Sequence, residues 1–484
     1  MWHEKKRQNS IIFSGQMEET MLTYTLEKQQ HAPLYSQLYQ KIRDDIRSGA
    51  LPCGAKLPSK RSFAEHLGVS KVTVETAYAQ LIDEGYVVSY EKRGYYVARV
   101  ASPPAAPVRN STASTAINEK YDVDLCSNSV DPERFPFSVW SRLMRETVLT
   151  YARELLAPLP NQGAVCLREA ICDYLAQNRG LYADPSQVVI GAGTEYLYGM
   201  ILQLLGTDLR FALEDPSYSK IPQVYRAHGA DCLYLPMDAQ GVRMDRLTQS
   251  DVQVLHISPA HHFPTGTVTT QARRLELLSW AAARPERYII EDEYDSEFRF
   301  HGKPIPPMIA TDGSESVIYI NTFSKTIAPS VRISYLILPP HLAERWQQKL
   351  GFYACTVPAF EQYTLATFIE SGHFERHINR MKRYYRDLRD AVIKEIQASA
   401  LAPYLTIQEL DAGLHFSLGM QTEKTDAQIK RICAACGIRI SCLSDYYRLP
   451  ENAPAHQALV NYSGVSLQLF RAALQRLEAE FGMT

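Results

Sequence analysis

The sequence predicts two folded parts of different class: an N-terminal winged helix-turn-helix and, beyond a flexible linker, a larger α/β domain built on a mostly parallel sheet. Three observations carry this. Residues 33–97 hold three short helical patterns followed by two strand patterns, the order of a winged helix. Residues 101–118 are rich in Pro, Ser, Thr and Ala and can bury little apolar area. From about residue 121 short apolar strands alternate with helical stretches, which implies a largely parallel sheet covered on both faces.

In the first part, Leu34, Leu38, Ile42 and Ile46 recur every four residues and define one helix face; Gly49 stops that helix. A second short helix spans 59–67, with Ser59 as N-cap and Phe63, Ala64 and Leu67 facing inward, until Gly68 breaks it. A third runs from about Lys71 to Glu84, with Val74, Ala77, Tyr78 and Leu81 on one face and Gly85 after it. Strands at 86–90 and 95–97 are joined by Glu91-Lys92-Arg93-Gly94. In the second part, strands are expected at Gln187–Ile190, Arg210–Glu214, Val252–Ile257, Tyr288–Glu291, Val317–Ile320 and Ser334–Leu338. The domain boundaries are therefore set at 21–100, 101–120 for the linker, and 121–484. Residues 1–20 are read as a disordered extension or a start-site artefact, since Met17 and Met21 both offer starts.

Composition excludes some classes. With 484 residues, 45% hydrophobic and 21% charged, the chain is ordinary for a soluble protein of two or three domains. No apolar run reaches about 18 residues, which argues against a membrane helix. Ile11-Ile12-Phe13 is too short for the core of a secretory signal. Nine cysteines without framework spacing argue for reduced thiols in a cytoplasm, and Cys433-Ala-Ala-Cys436 reads as packed helix residues rather than a metal or redox site. The net charge of −2 splits into +3 for residues 1–100 and −5 for the rest, a weak basic bias toward the N-terminal part.

A winged helix lays its second motif helix in the major groove with its first residues nearest the bases. Those residues are Ser70, Lys71, Val72 and Thr73. Lys60 and Arg61 open the preceding helix, where cations and amides meet phosphates, and Arg93-Gly94 forms the wing tip. The expected partner is double-stranded operator DNA. The string from Leu57 to Gly85 resembles the GntR family of bacterial repressors over the whole domain.

A second constellation suits pyridoxal 5′-phosphate, which has four handles. Lys325, in Asn321-Thr-Phe-Ser-Lys325, is the candidate amine for its aldehyde. Asp292, at the end of an apolar strand, suits the ring nitrogen, and Tyr294, two residues on, suits the phenolic oxygen. Gly193, Thr194 and Glu195 offer a helix start for the phosphate, with Thr322, Ser324 and Arg332 completing its cup.

With those residues in view, residues 121–484 resemble a fold-type I aminotransferase domain. Glu214-Asp-Pro-Ser-Tyr-Ser-Lys220 is similar to the segment whose aromatic, here Tyr218, stacks on the cofactor ring, and Pro259-Ala-His-His-Phe-Pro-Thr-Gly266 is similar to the Pro-Thr-Gly loop. A GntR winged helix fused to such a domain resembles the MocR/GabR-like transcriptional regulators. That resemblance implies a cytoplasmic homodimer whose DNA binding responds to an amine, an amino acid or the cofactor itself. Lys220, His261 and His262 are the candidate effector-binding residues.

The chain departs from the pattern in places. Phe263 fills a slot that is often Asn, Ser334 stands where many relatives have Gly, and Ala458-Leu-Val-Asn-Tyr-Ser463 lacks the arginine that takes a substrate α-carboxylate. Arg439 and Arg448 are possible substitutes. The rival reading is a working aminotransferase with an accessory DNA-binding head.

Overall fold

The computed structural model describes residues 22–27, 32–99, 121–127, 130–300, 305–408 and 413–480. The extension expected over 1–20 and the linker expected over 101–120 lie outside these residues. Contacts divide the chain into two units, residues 1–117 and 118–484.

In the first unit α1 (Leu34–Ser48), β1 (Lys56–Leu57), α2 (Lys60–Leu67), α3 (Lys71–Asp83), β2 (Val87–Tyr90) and β3 (Gly94–Val97) follow in order. The apolar stripes read from the sequence make its core: Leu38, Ile42 and Ile46 meet Phe63, Ala64, Val74, Ala77, Tyr78 and Leu81, with Val87 and Val97 closing the base. Each large side chain buried in this way contributes about 1.5–3 kcal/mol. Gly49 and Gly68 close α1 and α2 at φ 83° and 66°, left-handed values that glycine adopts without strain. The sheet order is β1-β3-β2, antiparallel throughout. β1 escaped the sequence reading because it is two residues long and Pro58 follows it.

In the second unit eight strands form one sheet: β4 (Val188–Gly191), β5 (Phe211–Asp215), β6 (Cys232–Asp238), β7 (Gly241–Val242), β8 (Val254–Ile257), β9 (Tyr288–Glu293), β10 (Val317–Thr322) and β11 (Ser334–Ile337). Their order is β4-β11-β10-β9-β8-β5-β6-β7. β10, β9, β8, β5 and β6 pair in parallel, whereas β11 runs antiparallel to both β10 and β4, and β7 antiparallel to β6. The interior reversal at β11 follows from the loop 323–333, too short to carry a crossover helix.

Strand side chains alternate between two buried faces. Ile290, Ile318 and Ile320 pack under helix α4 (Thr194–Leu205), while Ile289 and Val317 pack on the opposite side. A four-stranded antiparallel sheet (Leu405–Gln408, His415–Met420, Gln457–Asn461, Ser441–Cys442) with helices His373–Ala398 and Leu467–Glu480 forms a third core. Cys433 and Cys436 are buried free thiols. Among the described residues no helix is long and apolar enough to cross a membrane.

Candidate functional site

The carboxyl ends of β5, β8, β9 and β10 and the start of α4 surround one cavity of about 340 Å³. Open parallel sheets place ligands at this edge because each strand delivers its next loop there. Asp292, Tyr294, Tyr218, Thr194, Glu195, Thr322, Ser324, Lys325, Arg332, Lys220 and His262 all line the cavity.

Strand alternation separates the carboxylates of β9. Glu291 and Glu293 face away from the cavity, Glu293 meeting Arg179 at 2.6 Å and Glu291 lying 3.9 Å from Arg274. Asp292 faces inward. Its Oδ2 accepts the Tyr198 hydroxyl at 2.5 Å and lies 3.3 Å from His256 Nε2. Its Oδ1 is buried with no hydrogen-bond partner among the described residues. An orphaned buried carboxylate oxygen carries a free-energy cost unless a donor arrives, and a protonated ring nitrogen is such a donor. The Ser324 hydroxyl is likewise buried without a partner among the described residues.

The anion cup is built on backbone. Gly193 begins α4 at φ 98°, and a Cβ there would collide with the Arg332 guanidinium. Thr322 Oγ1 accepts the Ser324 N–H at 3.1 Å and the Ser334 hydroxyl at 2.8 Å, which orients the loop that carries Lys325. Ser334, a departure from the expected glycine, thus acts as a brace. Arg332 donates to Glu195 at 2.7 Å, and Lys220 donates to the same carboxylate at 3.3 Å. Burial pushes the Glu195 carboxyl up, but Arg332, a backbone N–H and Lys220 together leave it below the ordinary range.

Lys325 is half-buried. Desolvation lowers its ammonium to about 8, with Asp295 opposing the shift and Lys220 adding to it. A lysine lowered in this way is partly neutral near physiological pH and can act as a nucleophile. The orphaned oxygens, the glycine cradle and this amine all fit pyridoxal 5′-phosphate.

The nominated effector residues separate. His262 lines the cavity, 3.4 Å from Glu214, and burial lowers it to about 3 while raising Glu214 to about 8, so both are neutral. His261 points the other way: its Nδ1 lies 3.0 Å from Asp295 and 3.2 Å from the Tyr294 hydroxyl, one layer behind the wall. Arg439 pairs with Asp124 at 3.3 Å, and the Arg448 guanidinium sits over Tyr234; neither lines the cavity. Phe263 makes edge contacts with Tyr218, Tyr446 and His415, turning the slot that is often Asn into an aromatic wall.

Sequence reasoning missed Tyr198, His256 and His415, and it noted Ser334 only as a departure without its bracing role. Tyr198 lies one helical turn beyond Thr194, a spacing that could have flagged it. His256 is the polar residue inside the apolar strand Val254–Ile257.

The head supplies a different surface. Ser70 caps α3, accepting the Thr73 N–H at 3.1 Å. Lys60 lies 3.5 Å and Lys71 3.9 Å from Glu75, Lys60 also standing over the Tyr95 ring. Arg61 pairs with Glu65 at 3.2 Å on the open face. Arg93 is exposed between β2 and β3, beside Gly94 at φ 104°.

Residues 34–97 match the family "Bacterial regulatory proteins, gntR family", and residues 121–452 match "Aminotransferase class I and II". The uncharacterized HTH-type transcriptional regulator YdeL of Bacillus subtilis (strain 168) is 33% identical over 95% of this chain and 99% of its own. The probable rhizopine catabolism regulatory protein MocR of Rhizobium meliloti is 31% identical over 94% of this chain and 95% of its own. Among solved structures, the kynurenine aminotransferase of Pyrococcus horikoshii superposes with a TM-score of 0.65 at 19% identity, covering 78% of this chain and 95% of that one. The α-aminoadipate aminotransferase LysN of Thermus thermophilus, complexed with N-(5'-phosphopyridoxyl)-L-leucine, superposes at 0.65 and 19% identity over 78% and 97%. These two establish a shared fold for the second unit.

Proposed function

The chain belongs to the HTH-type transcriptional regulators that join a GntR-family head to an aminotransferase class I and II domain, and from that membership we propose that it is a cytoplasmic, pyridoxal 5′-phosphate-dependent regulator of operator DNA. The effector is an amine, an amino acid or the cofactor itself, bound in the cavity at Lys325. When bound, the cofactor would supply an aldehyde that condenses with amines and a ring that draws electrons from the bonds at the carbon bearing the amine.

The residues divide the work. Asp292 Oδ1 would accept the ring-nitrogen proton. Tyr294 would donate to the phenolic oxygen, and Tyr218 would cover the ring. The N–H groups at Gly193–Thr194, the Ser324 hydroxyl and Arg332 would hold the phosphate. Lys325 would give its neutral amine. Two copies of the chain pair, so that two heads meet two half-sites. An effector that prefers one arrangement of the protein shifts DNA affinity by that difference in binding energy.

The observation that carries this reading is the convergence of Lys325, the orphaned Asp292 Oδ1 and the orphaned Ser324 Oγ on one cavity, in a chain that also bears the GntR head. The test is titration of the purified full chain with pyridoxal 5′-phosphate, followed by borohydride and peptide mapping. Label on Lys325 is expected. A protein that takes up no cofactor contradicts the reading, and sustained transamination with no effect on DNA binding favours the enzyme instead.

A further inference from the structure

One exposed stripe from the start of α3 is apolar where a base-reading helix would be expected to be polar. Val72 is 66% exposed at the second position of α3. Thr76 and Ala79 follow at four and seven residues, and both are exposed. That spacing is one helix face, opposite the face on which Val74, Ala77, Tyr78 and Leu81 fill the core.

The hydroxyls near the helix start are already engaged. Ser70 Oγ accepts the Thr73 N–H at 3.1 Å and lies 2.9 Å from Thr73 Oγ1. Thr76 Oγ1 donates to the Val72 carbonyl at 2.9 Å, leaving its methyl group as its outward chemistry. The Glu75 carboxylate, which could accept from a cytosine amine, sits between Lys60 and Lys71. As far as Ala79, what remains free on this face is a valine, a threonine methyl and an alanine; the exposed Asp83 follows only at the far end of the helix.

In the major groove, thymine alone of the four bases presents a C5 methyl group. We infer that this head reads its operator through thymine methyl groups packed against Val72 and the Thr76 methyl, while Lys71 and Arg93 hold phosphate. Ser70 and Thr73, nominated from the sequence as base contacts, then act as helix-start positioners. The inference rests on the proposed DNA-binding role and adds what the head recognises.

The experiment selects duplexes from a random library with the full-length protein. Thymines in each enriched half-site are then replaced one at a time by deoxyuridine, which removes the methyl and preserves pairing. One or two replacements per half-site are expected to weaken wild-type binding about fourfold each, the factor that one buried methyl carries. Val72→Ala should bind the thymine and deoxyuridine forms of that position alike. Its salt dependence should match wild type, because a methyl contact releases no counterion. Half-sites lacking such a thymine, or deoxyuridine duplexes bound as tightly as the originals, overturn the inference and leave the regulator reading standing. A selection that enriches no duplex overturns the regulator reading, and this inference with it.

Discussion

Tyr198 donates its hydroxyl to Asp292 Oδ2 at 2.5 Å, and so holds the other oxygen, Oδ1, fixed and unpartnered among the described residues. One oxygen is bound within the protein, and the other is the one that on the proposed reading would meet the cofactor. Burial and the neighbouring carboxylate raise the Tyr198 phenol well above its ordinary value, so it remains a donor.

Tyr198→Phe should therefore destabilise the apo protein by about 1.5–3 kcal/mol, the range for a hydrogen bond to a charged acceptor. Chemical denaturation measures this. Asp292→Asn should retain cofactor binding but change the absorption of the bound cofactor and blunt the effector response, because the charge that holds the ring-nitrogen proton is gone. An unchanged effector response would show that Asp292 is not the partner.

Lys325 gives a pH prediction. Its folded-state value of about 8 lies below the ordinary 10.5. The unfolded chain thus binds more protons than the folded one between these values, and this group's contribution to stability rises with pH across that window. Cofactor capture needs the neutral amine, so its rate should rise through about pH 8 and level off above it. Stopped-flow absorbance from about pH 6.5 to 9.5 brackets that value and checks this. A rate still climbing about tenfold per pH unit at the upper end contradicts the lowered value.

Much of this site was legible in the sequence. Asp292 and Thr322 lie at the ends of apolar strands and Ser324 and Lys325 come just after one, and a strand end fixes where the next side chains go. The parts that were not legible depend on register or on distant chain. His256 reaches Asp292 only because β8 pairs with β9 so that His256 opposes Ile290. His415 and Asn461 arrive from an antiparallel sheet that had no sequence reading. His261 and His262 are neighbours in sequence but point to opposite sides of one loop, which composition cannot reveal. In the head, the helices were read to within a residue or so, yet the engagement of the Ser70 and Thr73 hydroxyls needed coordinates.

Arg179 should anchor the strand beneath the cavity. It donates to Ser296 at 2.6 Å and forms a buried pair with Glu293 at 2.6 Å. Arg179→Ala leaves the Glu293 charge buried and uncompensated, at a cost of about 3–5 kcal/mol. Arg179→Met with Glu293→Leu should cost less than Arg179→Ala alone. A double variant less stable than the single would count against a penalty from stranded charge.

Lys71→Ala and Arg93→Ala should each weaken operator binding. For a phosphate contact, each should also reduce the slope of log affinity against log salt by about 0.9. Neither should alter the absorption of bound cofactor, since both lie in the first unit. Electrophoretic mobility shifts across a salt series check this, and unchanged slopes for both would remove them from the phosphate-binding set.

The coupling of cavity to DNA is the central claim. It is tested most directly by operator affinity measured with and without pyridoxal 5′-phosphate and candidate amines, in wild type and in Lys325→Ala. Wild type should shift its affinity by about 5-fold or more, the lower end of typical allosteric coupling, and Lys325→Ala should bind the operator with no ligand response. A wild-type affinity indifferent to every ligand that alters the bound cofactor's absorption would contradict the account and leave the aminotransferase reading in its place.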